Sequence, residues 1–376
     1  MRLPLRRITP RIRHIWCSYC YTSISVEILY NGGVRTSDFD YHLPIELIGQ
    51  SPMKPRDWSR LMVVSRSDGS IQHRHFFDLP EYLCRGDVLV FNDTRVIPAR
   101  LHGRLTESGG KVELLLLNRL YPGMWRALVK PGRRMRSGAM LEFDSGDVSM
   151  TAQVLEVSLD GTRIVRLSGE EYLHKIGVVP LPPYIHEPLN ETERYQTVYS
   201  RVEGSVAAPT AGLHFTEDLL ERVLSVGAET IFVTLHVGWD SFRPVKTDDP
   251  SHQKMHSEYW NLGEESAKAL NKAKRENRRI ITIGTTATRL LEHVASMNGS
   301  SYGMVSGGSG WADLFILPGY EFKMVDALVT NFHLPRSSLL MLVSAFAERE
   351  LIMNVYQVAI ERGYRFYSFG DAMLIL

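Results

Sequence analysis

The segment VAAPTAGLHFT, residues 206–216, decides how the rest of this chain is organised. A proline, Thr210 and Gly212 interrupt any helical or strand periodicity immediately before His214. Thr216 then begins a helix as its N-cap, because acidic residues and spaced apolar positions follow it. A loop rich in glycine and proline that opens onto a helix N-terminus exposes a polar side chain beside free backbone N–H groups. The sequence therefore predicts a functional loop here.

A second segment, TNFHLP at residues 330–335, has the same character. It places Asn331 and His333 at the end of an apolar strand, before a proline and another helix. We expect the fold to bring these two loops together.

Helices alternate with apolar strands around both loops. ETIFVTLHV ends near His236, and RIITIGTT ends in Thr285 and Thr286. Polar strand ends in this alternation predict an α/β sheet whose ligands bind at its carboxyl edge. No G-x-G-x-x-G segment follows a strand and GTTATR is not a P-loop, so a nucleotide ligand would be bound in another way.

An earlier buried strand, from Val88 to Phe91, ends in a group of hydrogen-bonding residues that includes Asp93 and Arg95. Polar residues directly after a buried strand favour a functional site. A turn closed by an Asp93–Arg95 ion pair explains the same residues equally well, and both interpretations stay open.

Residues 98 to 168 form short, often alternating strands at the spacing of a small barrel or sandwich. Asp160-Gly161 within them is typical of a type I′ hairpin turn. The predicted fold class is α/β, with a smaller β-barrel-like domain inserted into a larger α/β domain. The predicted bounds are 34–97 with 178–376 for the α/β domain, and 98–177 for the inserted domain.

Charge is distributed without a global excess, since the formal net charge is +1. A nucleic-acid partner would therefore need local basic patches. The loop from Lys130 to Arg136, which includes Arg133 and Arg134, is one such patch. Phosphate contact and an ordinary solvated loop are both consistent with it.

Length and composition bound the remaining possibilities. The chain has 376 residues, of which 44% are hydrophobic, which suggests two domains. No apolar run reaches the ~18 residues of a membrane span, and three cysteines cannot form a disulfide framework, which fits a reducing cytosol. His252 and His256 have helical spacing, but Gln253 stands where a zincin has Glu, so we expect no metal site.

The first 33 residues are rich in arginine and contain a single acid, Glu27. An organelle transit peptide, a disordered tail and a misassigned start all explain this composition. We favour the last two, for a reason that follows from the family resemblance.

Twelve segments, in order, closely resemble the S-adenosylmethionine:tRNA ribosyltransferase-isomerases of queuosine synthesis. The similarity runs from about Val34 to the C-terminus, and this family begins near that point, which favours a misassigned start. The segments are FNDTRVIPARLHG, GGKVELLLL, ALVKPGRR, PLPPYI, YQTVYSR, VAAPTAGLHFT, VTLHVG, MHSEY, GTTATRLLE, TNFHLP, LLMLVSAFA and YSFGDAM.

The resemblance implies that S-adenosylmethionine donates its ribosyl unit as a co-substrate. The acceptor is 7-aminomethyl-7-deazaguanine at the tRNA wobble position, and the products are epoxyqueuosine-tRNA, adenine and methionine. The sulfonium acidifies the ribose 5′ carbon, so a general base is needed, and departing adenine needs a proton donor. A cytoplasmic protein that acts as a monomer, without metal or membrane, is the corresponding expectation.

Roles follow only as hypotheses. His214, His333 and His236 are candidates for acid–base chemistry, and Asp93 for holding the sulfonium or the ribose hydroxyls. Candidate cofactor-binding residues are Arg95, Thr210, Gly212, Thr285, Thr286, Glu258 and Asp371. Candidate tRNA-binding residues are Arg133, Arg134 and Arg289.

The sequence departs from the family pattern at a few positions. Trp239-Asp240-Ser241 replaces a small residue followed by Gly-Thr, and Glu348 stands where AFAG usually ends in glycine. Two other classes of protein compete with this interpretation. A tRNA-binding protein without catalysis would bind tRNA but no cofactor, and a methyltransferase would be expected to carry a Gly-rich loop after its first strand.

Overall fold

The computed structural model describes residues 33–239, 244–253, 255, 257–297 and 303–376. The predictions made for the N-terminal extension, for His256 and for the Asp240-Ser241 departure fall outside these residues. Within the described part, residues 33–376 form one compact unit.

Seventeen strands and six α-helices are described, together with short 3₁₀ helices. The strands are β1 (Arg60–Val64), β2 (Ile71–His75), β3 (Val88–Asn92), β4 (Thr94–Val96), β5 (Arg100–Leu105), β6 (Lys111–Tyr121), β7 (Met124–Lys130), β8 (Met140–Ser145), β9 (Val148–Val157), β10 (Arg163–Ser168), β11 (Val202–Ser205), β12 (Glu229–Leu235), β13 (Glu258–Leu262), β14 (Ile280–Ile283), β15 (Gly308–Ala312), β16 (Ala327–Asn331) and β17 (Ala372–Ile375). The α-helices are α1 (Leu173–Ile176), α2 (Glu217–Ser225), α3 (Glu264–Arg275), α4 (Thr285–Met297), α5 (Ser338–Ala347) and α6 (Arg349–Glu361). The 3₁₀ helices are Thr36–Phe39, Ile45–Leu47, Arg56–Trp58, Phe76–Tyr82, Gly132–Arg134, Glu170–Tyr172, Thr192–Tyr195, Thr210–His214 and Pro250–His252.

A nine-stranded mixed sheet forms the larger part, in the order β15-β13-β12-β3-β14-β16-β17-β1-β2. Its centre, β12-β3-β14-β16, is parallel. Strands β3, β14 and β16 are buried along their whole length, as expected for parallel strands covered on both faces. The predicted α/β class is confirmed.

One edge of this sheet collects the polar strand ends. The parallel strands β3, β12, β14 and β16 all finish there. Strand β17 runs antiparallel to β16, so Ala372 pairs with Asn331, and β1 is parallel to β17, so Leu61 pairs with Ala372. Ser59 and Asp371, which precede these strands, therefore lie at the same edge.

Strands β5 to β10 form a closed, fully antiparallel barrel in the order β10-β7-β6-β5-β8-β9. Buried and exposed residues alternate along β8 and β9, and Leu101, Leu116, Phe143 and Val154 fill the interior. The predicted barrel is confirmed.

The turn between β9 and β10 differs from the prediction. The Gly161 N–H donates to the Ser158 carbonyl at 3.1 Å, and residues 158–162 connect the strands. Gly161 has φ +86°, but Asp160 does not share the positive φ that a type I′ turn requires at both central residues. The hairpin is present, and the predicted turn type is wrong.

Helix α2 begins as predicted. The Leu219 N–H donates to Thr216 Oγ1 at 3.1 Å, which is the expected N-cap hydrogen bond. Leu219 and Val223 are buried, so the helix packs with one apolar face inward. Among the residues described, none of the helices has the length and apolar character needed to cross a membrane.

Candidate active site

The structure brings the two loops together through one amide side chain. Asn331 Oδ1 accepts a hydrogen bond from Thr210 Oγ1 at 3.1 Å, and Asn331 Nδ2 donates to His214 Nε2 at 3.1 Å. The same Nδ2 lies 3.2 Å from the Tyr367 carbonyl oxygen, which fixes the orientation of the amide. Asn331 therefore joins β16 to the 3₁₀ helix Thr210–His214.

His214 is buried beneath this junction. Because its Nε2 accepts from Asn331, its Nδ1 carries the proton and donates to Ser59 Oγ at 2.7 Å. Its ring stacks on Phe76 with the ring centroids 4.9 Å apart. Burial lowers the pKa of His214 to about 4, so the imidazole is neutral at pH 7. Because both of its ring nitrogens make hydrogen bonds, His214 stabilises the 206–216 loop.

A small cavity lies at the carboxyl edge of the sheet, and we call it the sheet-edge cavity. Its volume is about 30 Å³. Residues 208–211 of the first loop, residues 284–286 and Arg289 at the start of α4, and Asn331 and His333 of the second loop line it. This volume corresponds to about one water molecule. Any larger ligand therefore requires the loops to move apart.

Of the three histidines predicted for acid–base chemistry, His333 lines this cavity. Its Nε2 lies 2.7 Å from Thr330 Oγ1, and its backbone N–H donates to the Tyr356 hydroxyl at 2.8 Å. The Tyr41 hydroxyl donates to the His333 carbonyl oxygen. Burial lowers the pKa of His333 to about 3, so this ring is also neutral at pH 7.

Asp93 is buried at the end of β3, and its partner is Arg201. Asp93 Oδ2 accepts from Arg201 Nη2 at 2.8 Å, and Oδ1 accepts from Thr234 Oγ1 at 2.7 Å. Arg95 instead contacts Glu193 and donates to Ser200 Oγ at 2.9 Å. The predicted Asp93–Arg95 pair is therefore wrong.

Sequence reasoning missed Arg201 as the partner of Asp93. Arg201 ends the YQTVYSR segment, and nothing in the spacing of that segment indicates a contact with Asp93. The backbone supplies the link, because Arg201 N–H also donates to the Asp93 carbonyl oxygen at 2.8 Å.

His236 lies close to Asp93, at the end of β12. Its Nδ1 is 2.8 Å from Thr94 Oγ1, and its ring stacks on Tyr259 at 5.6 Å between centroids. Burial lowers the pKa of His236 to about 4, and the Asp93 charge opposes that shift. A Cβ at Gly204 would lie 2.5 Å from His236 Nε2, so only glycine allows the backbone this close.

The start of α4 carries three predicted site residues with different contacts. Thr286 Oγ1 accepts from Asn92 Nδ2 at 3.3 Å, and Thr285 lines the sheet-edge cavity. Arg289 Nη1 pairs with Glu258 Oε2 at 2.7 Å, and both side chains are 4% exposed. This burial and pairing do not favour the predicted contact of Arg289 with tRNA phosphates, which stays a prediction.

Asp371 and Gly212 have packing roles in the structure. Asp371 Oδ1 accepts from the Arg60 N–H at 3.0 Å, and Oδ2 accepts from the Arg365 N–H at 2.8 Å and from Arg60 Nη2 at 3.0 Å. A Cβ at Gly212 would lie 1.9 Å from the Tyr199 hydroxyl. These contacts explain both residues by packing, and their predicted contact with the cofactor stays a prediction.

Arg133 and Arg134 are exposed on the barrel, in the 3₁₀ helix Gly132–Arg134. With Arg136 they line a groove of about 520 Å³ beside Ser108 and Met140, which we call the barrel groove. The predicted basic loop thus forms one wall of a surface groove.

An α/β sheet with a polar, histidine-bearing cavity at its carboxyl edge has the architecture of an enzyme. The family model described as queuosine biosynthesis protein matches residues 36–375, and the chain belongs to that family. The resemblance seen in the twelve segments is confirmed.

Individual relatives agree with the family match. The chain is 53% identical over 347 residues to an S-adenosylmethionine:tRNA ribosyltransferase-isomerase of Symbiobacterium thermophilum, and 51% identical over 345 residues to one of Dehalococcoides mccartyi. Each alignment covers 91% of this chain and all of the relative. The crystal structure of S-adenosylmethionine tRNA ribosyltransferase from Thermotoga maritima is 39% identical, with a TM-score of 0.52, over 90% of this chain and all of that one.

Proposed function

We propose that this chain is an S-adenosylmethionine:tRNA ribosyltransferase-isomerase. It transfers and isomerises the ribosyl unit of S-adenosylmethionine onto 7-aminomethyl-7-deazaguanine at the tRNA wobble position, and it releases adenine and methionine. The observation that carries the proposal is the meeting of the two family loops, through Asn331, at the wall of the sheet-edge cavity. That is where an α/β sheet binds its ligands.

The acid–base chemistry is assigned to neutral histidines. Loss of a proton from the ribose 5′ carbon, which the sulfonium acidifies, requires a base that is unprotonated at pH 7. His333 lines the sheet-edge cavity and its imidazole is neutral at pH 7, so it is able to accept a proton there. The burial that lowers its pKa to about 3 also weakens it as a base, so the assignment rests on its position. His214 holds the Asn331 junction in place. His236, beside Asp93, is assigned to proton transfer at the opposite end of the substrate.

The cofactor is assigned to the walls of the sheet-edge cavity. Thr210, Thr285 and Thr286 line the cavity and supply hydroxyls to the cofactor. Glu258, which pairs with the lining residue Arg289, is assigned as a carboxylate for the cation. Asp93 is the second carboxylate, with Arg201 as its resting partner, whose side chain is 75% exposed and able to move away. Because the cavity holds about one water, we infer that the 206–216 and 330–335 loops open for the cofactor and close over it to exclude water.

The tRNA is assigned to the barrel groove, where Arg133 and Arg134 contact phosphates. Removing both charges is expected to weaken tRNA binding at low salt and to reduce the steepness of its salt dependence, since each phosphate contact releases counterions. Arg166→Ala is the matched control, because Arg166 is exposed on β10 of the same barrel. Binding by the double variant Arg133→Ala, Arg134→Ala with the same affinity and salt slope as the control would refute this assignment.

We further propose that the protein acts as a monomer in the cytoplasm. Light scattering after size exclusion is expected to give a mass near 42.7 kDa for the chain. Cell fractionation followed by immunoblotting tests the location. A dimer mass or a membrane-pelleted protein would contradict these statements.

The reaction is tested by incubating the protein with S-adenosylmethionine and a tRNA that carries 7-aminomethyl-7-deazaguanine. Nucleoside mass analysis is expected to show epoxyqueuosine together with an equal amount of adenine. A methylated nucleoside would place the chain among the methyltransferases. Tight tRNA binding without any product would favour a tRNA-binding protein that lacks catalysis.

A further inference from the structure

We propose that Arg289 and the N-terminus of α4 bind the carboxylate of the methionyl group of S-adenosylmethionine. This inference rests on the proposed function and adds a recognition site for one end of the co-substrate. It gives Arg289 a role that fits its burial better than the predicted tRNA contact.

The guanidinium of Arg289 is buried with part of its hydrogen-bonding capacity unused. Nη1 donates to Glu258 Oε2 at 2.7 Å, and Nε donates to the Leu314 carbonyl oxygen at 3.3 Å. Nη2 is fully buried and has no hydrogen-bond partner among the residues that the structure describes. A buried N–H group of a charged side chain without a partner costs free energy, so such a group in a native protein calls for an explanation.

The position of Arg289 supplies that explanation. It lines the sheet-edge cavity together with Thr285 and Thr286, the first residues of α4. Gly284, which precedes the helix, has φ +93° and directs the chain into it. The first N–H groups of a 13-residue helix lack intrahelical partners and carry partial positive charge. Two independent sources of positive potential therefore meet at one cavity wall.

An anion is the ligand that such a wall selects, and S-adenosylmethionine carries a single anionic group, its carboxylate. A tRNA phosphate fits this wall less well, because Arg289 is 4% exposed.

The charges at this wall also balance once the ligand is bound. Glu258 neutralises Arg289 in the resting protein, at 2.7 Å. A second carboxylate would leave one excess negative charge. The ammonium group of the same amino acid offsets that charge, because it stands one carbon away from the carboxylate. The carboxylate and ammonium groups of the co-substrate thus contact a pair of side chains, Arg289 and Glu258, that also carries one charge of each sign.

The experiment compares S-adenosylmethionine with its decarboxylated analogue, which keeps the sulfonium and the ammonium and lacks only the carboxylate. Calorimetry with the full-length wild-type protein is expected to show roughly tenfold or greater preference for the carboxylated ligand, as a charged hydrogen bond of about 1.5–3 kcal/mol gives. In the double variant Glu258→Gln, Arg289→Met, which leaves no unpaired buried charge, the ratio of affinities is expected to approach one.

Arg163→Met is the matched control for loss of a buried arginine. Arg163 is buried in the barrel and donates to the Met135 carbonyl oxygen at 2.8 Å, so its loss reduces stability but leaves the ligand ratio unchanged. Equal affinities in the wild type, or an undiminished ratio in the double variant, would overturn the inference while leaving the proposed function intact. Binding of neither ligand by the wild type would overturn both. If the double variant does not fold, the wild-type ratio alone decides.

Discussion

Asn331 is the residue on which the geometry of the site depends. Its amide contacts Thr210, His214 and the Tyr367 carbonyl oxygen, and none of these contacts is available to an apolar side chain. Asn331→Leu preserves the approximate volume and is expected to lower kcat/KM roughly 100-fold, because the two loops lose their alignment. Steady-state kinetics with S-adenosylmethionine and the modified tRNA measure this effect.

Asn271→Leu is the control for the loss of a bridging amide. Asn271 Nδ2 donates to the Val305 carbonyl oxygen at 2.7 Å, and its Oδ1 accepts the Val305 N–H at 2.9 Å. That variant is expected to lose stability but keep its activity. Equal activity losses in the two variants would show that Asn331 acts only through stability.

The buried histidines predict how stability depends on pH. The pKa values of His214 and His333 in the folded protein are about 4 and about 3, below the usual value near 6.5 in the unfolded chain. Between the folded and the unfolded pKa of each histidine, the unfolded state binds more protons than the folded state. The free energy of unfolding therefore falls as pH decreases from about 6.5 to 4, by roughly 1 kcal/mol per pH unit for each histidine. Above pH 6.5 this contribution is fully present.

Urea unfolding at several pH values from 7.5 to 4.5 tests this expectation. His214→Gln is expected to be less stable than wild type at pH 7 and to show a shallower dependence on pH. A slope identical to that of the wild type would mean that His214 is not buried as a neutral ring.

Sequence reasoning worked well for residues whose role depends on local context and less well for partners. His333 and Thr210 were found from their loops and do line the cavity. The partner of Asp93 was missed, because Arg201 reaches it from a distant part of the chain. Burial of Arg289 could not be predicted from the pattern of α4, since its partner Glu258 lies on strand β13.

At the scale of elements, the junction between α5 and α6 contains a strained residue. Glu348 ends α5 and precedes α6 with φ +64° and ψ +139°, a conformation that side chains other than glycine rarely adopt. The resemblance to the family places glycine at this position. Glu348→Gly is therefore expected to stabilise the protein by roughly 1 kcal/mol.

Thermal or urea unfolding of Glu348→Gly measures this gain. Asn277→Gly is the control, because Asn277 follows α3 at φ +53°, where asparagine is tolerated and little change is expected. A loss of stability in Glu348→Gly would show that the side chain contributes more than the strain costs.

Elements were predicted from sequence wherever one periodicity or one cap dominated. Thr216 starts α2, as the acidic residues and spaced apolar positions after it indicate. The β9–β10 turn was assigned the wrong type because the dipeptide Asp-Gly also occurs in longer turns whose geometry the flanking strands decide.

At the scale of the whole molecule, the sequence predicted a barrel and an α/β sheet but not the order in which the strands of the sheet pair. The barrel follows from regularly spaced short strands, and the sheet from alternating helices and strands. The antiparallel β17 between β16 and β1 brings Ser59 and Asp371 to the carboxyl edge of the sheet, and this arrangement depends on long-range pairing. We propose that residues 98–177 are a domain inserted into one formed by 34–97 and 178–376, because the barrel has a core of its own.

Ribosyl transfer is tested most directly by following the atoms of S-adenosylmethionine. The protein is incubated with the modified tRNA and with co-substrate labelled either in the ribose carbons or in the methyl carbon, and the tRNA is then recovered and counted. The ribose label is expected to enter the tRNA, and the methyl label is expected to leave with methionine. Methyl label in the tRNA, with the ribose label remaining on a released nucleoside, would contradict ribosyl transfer.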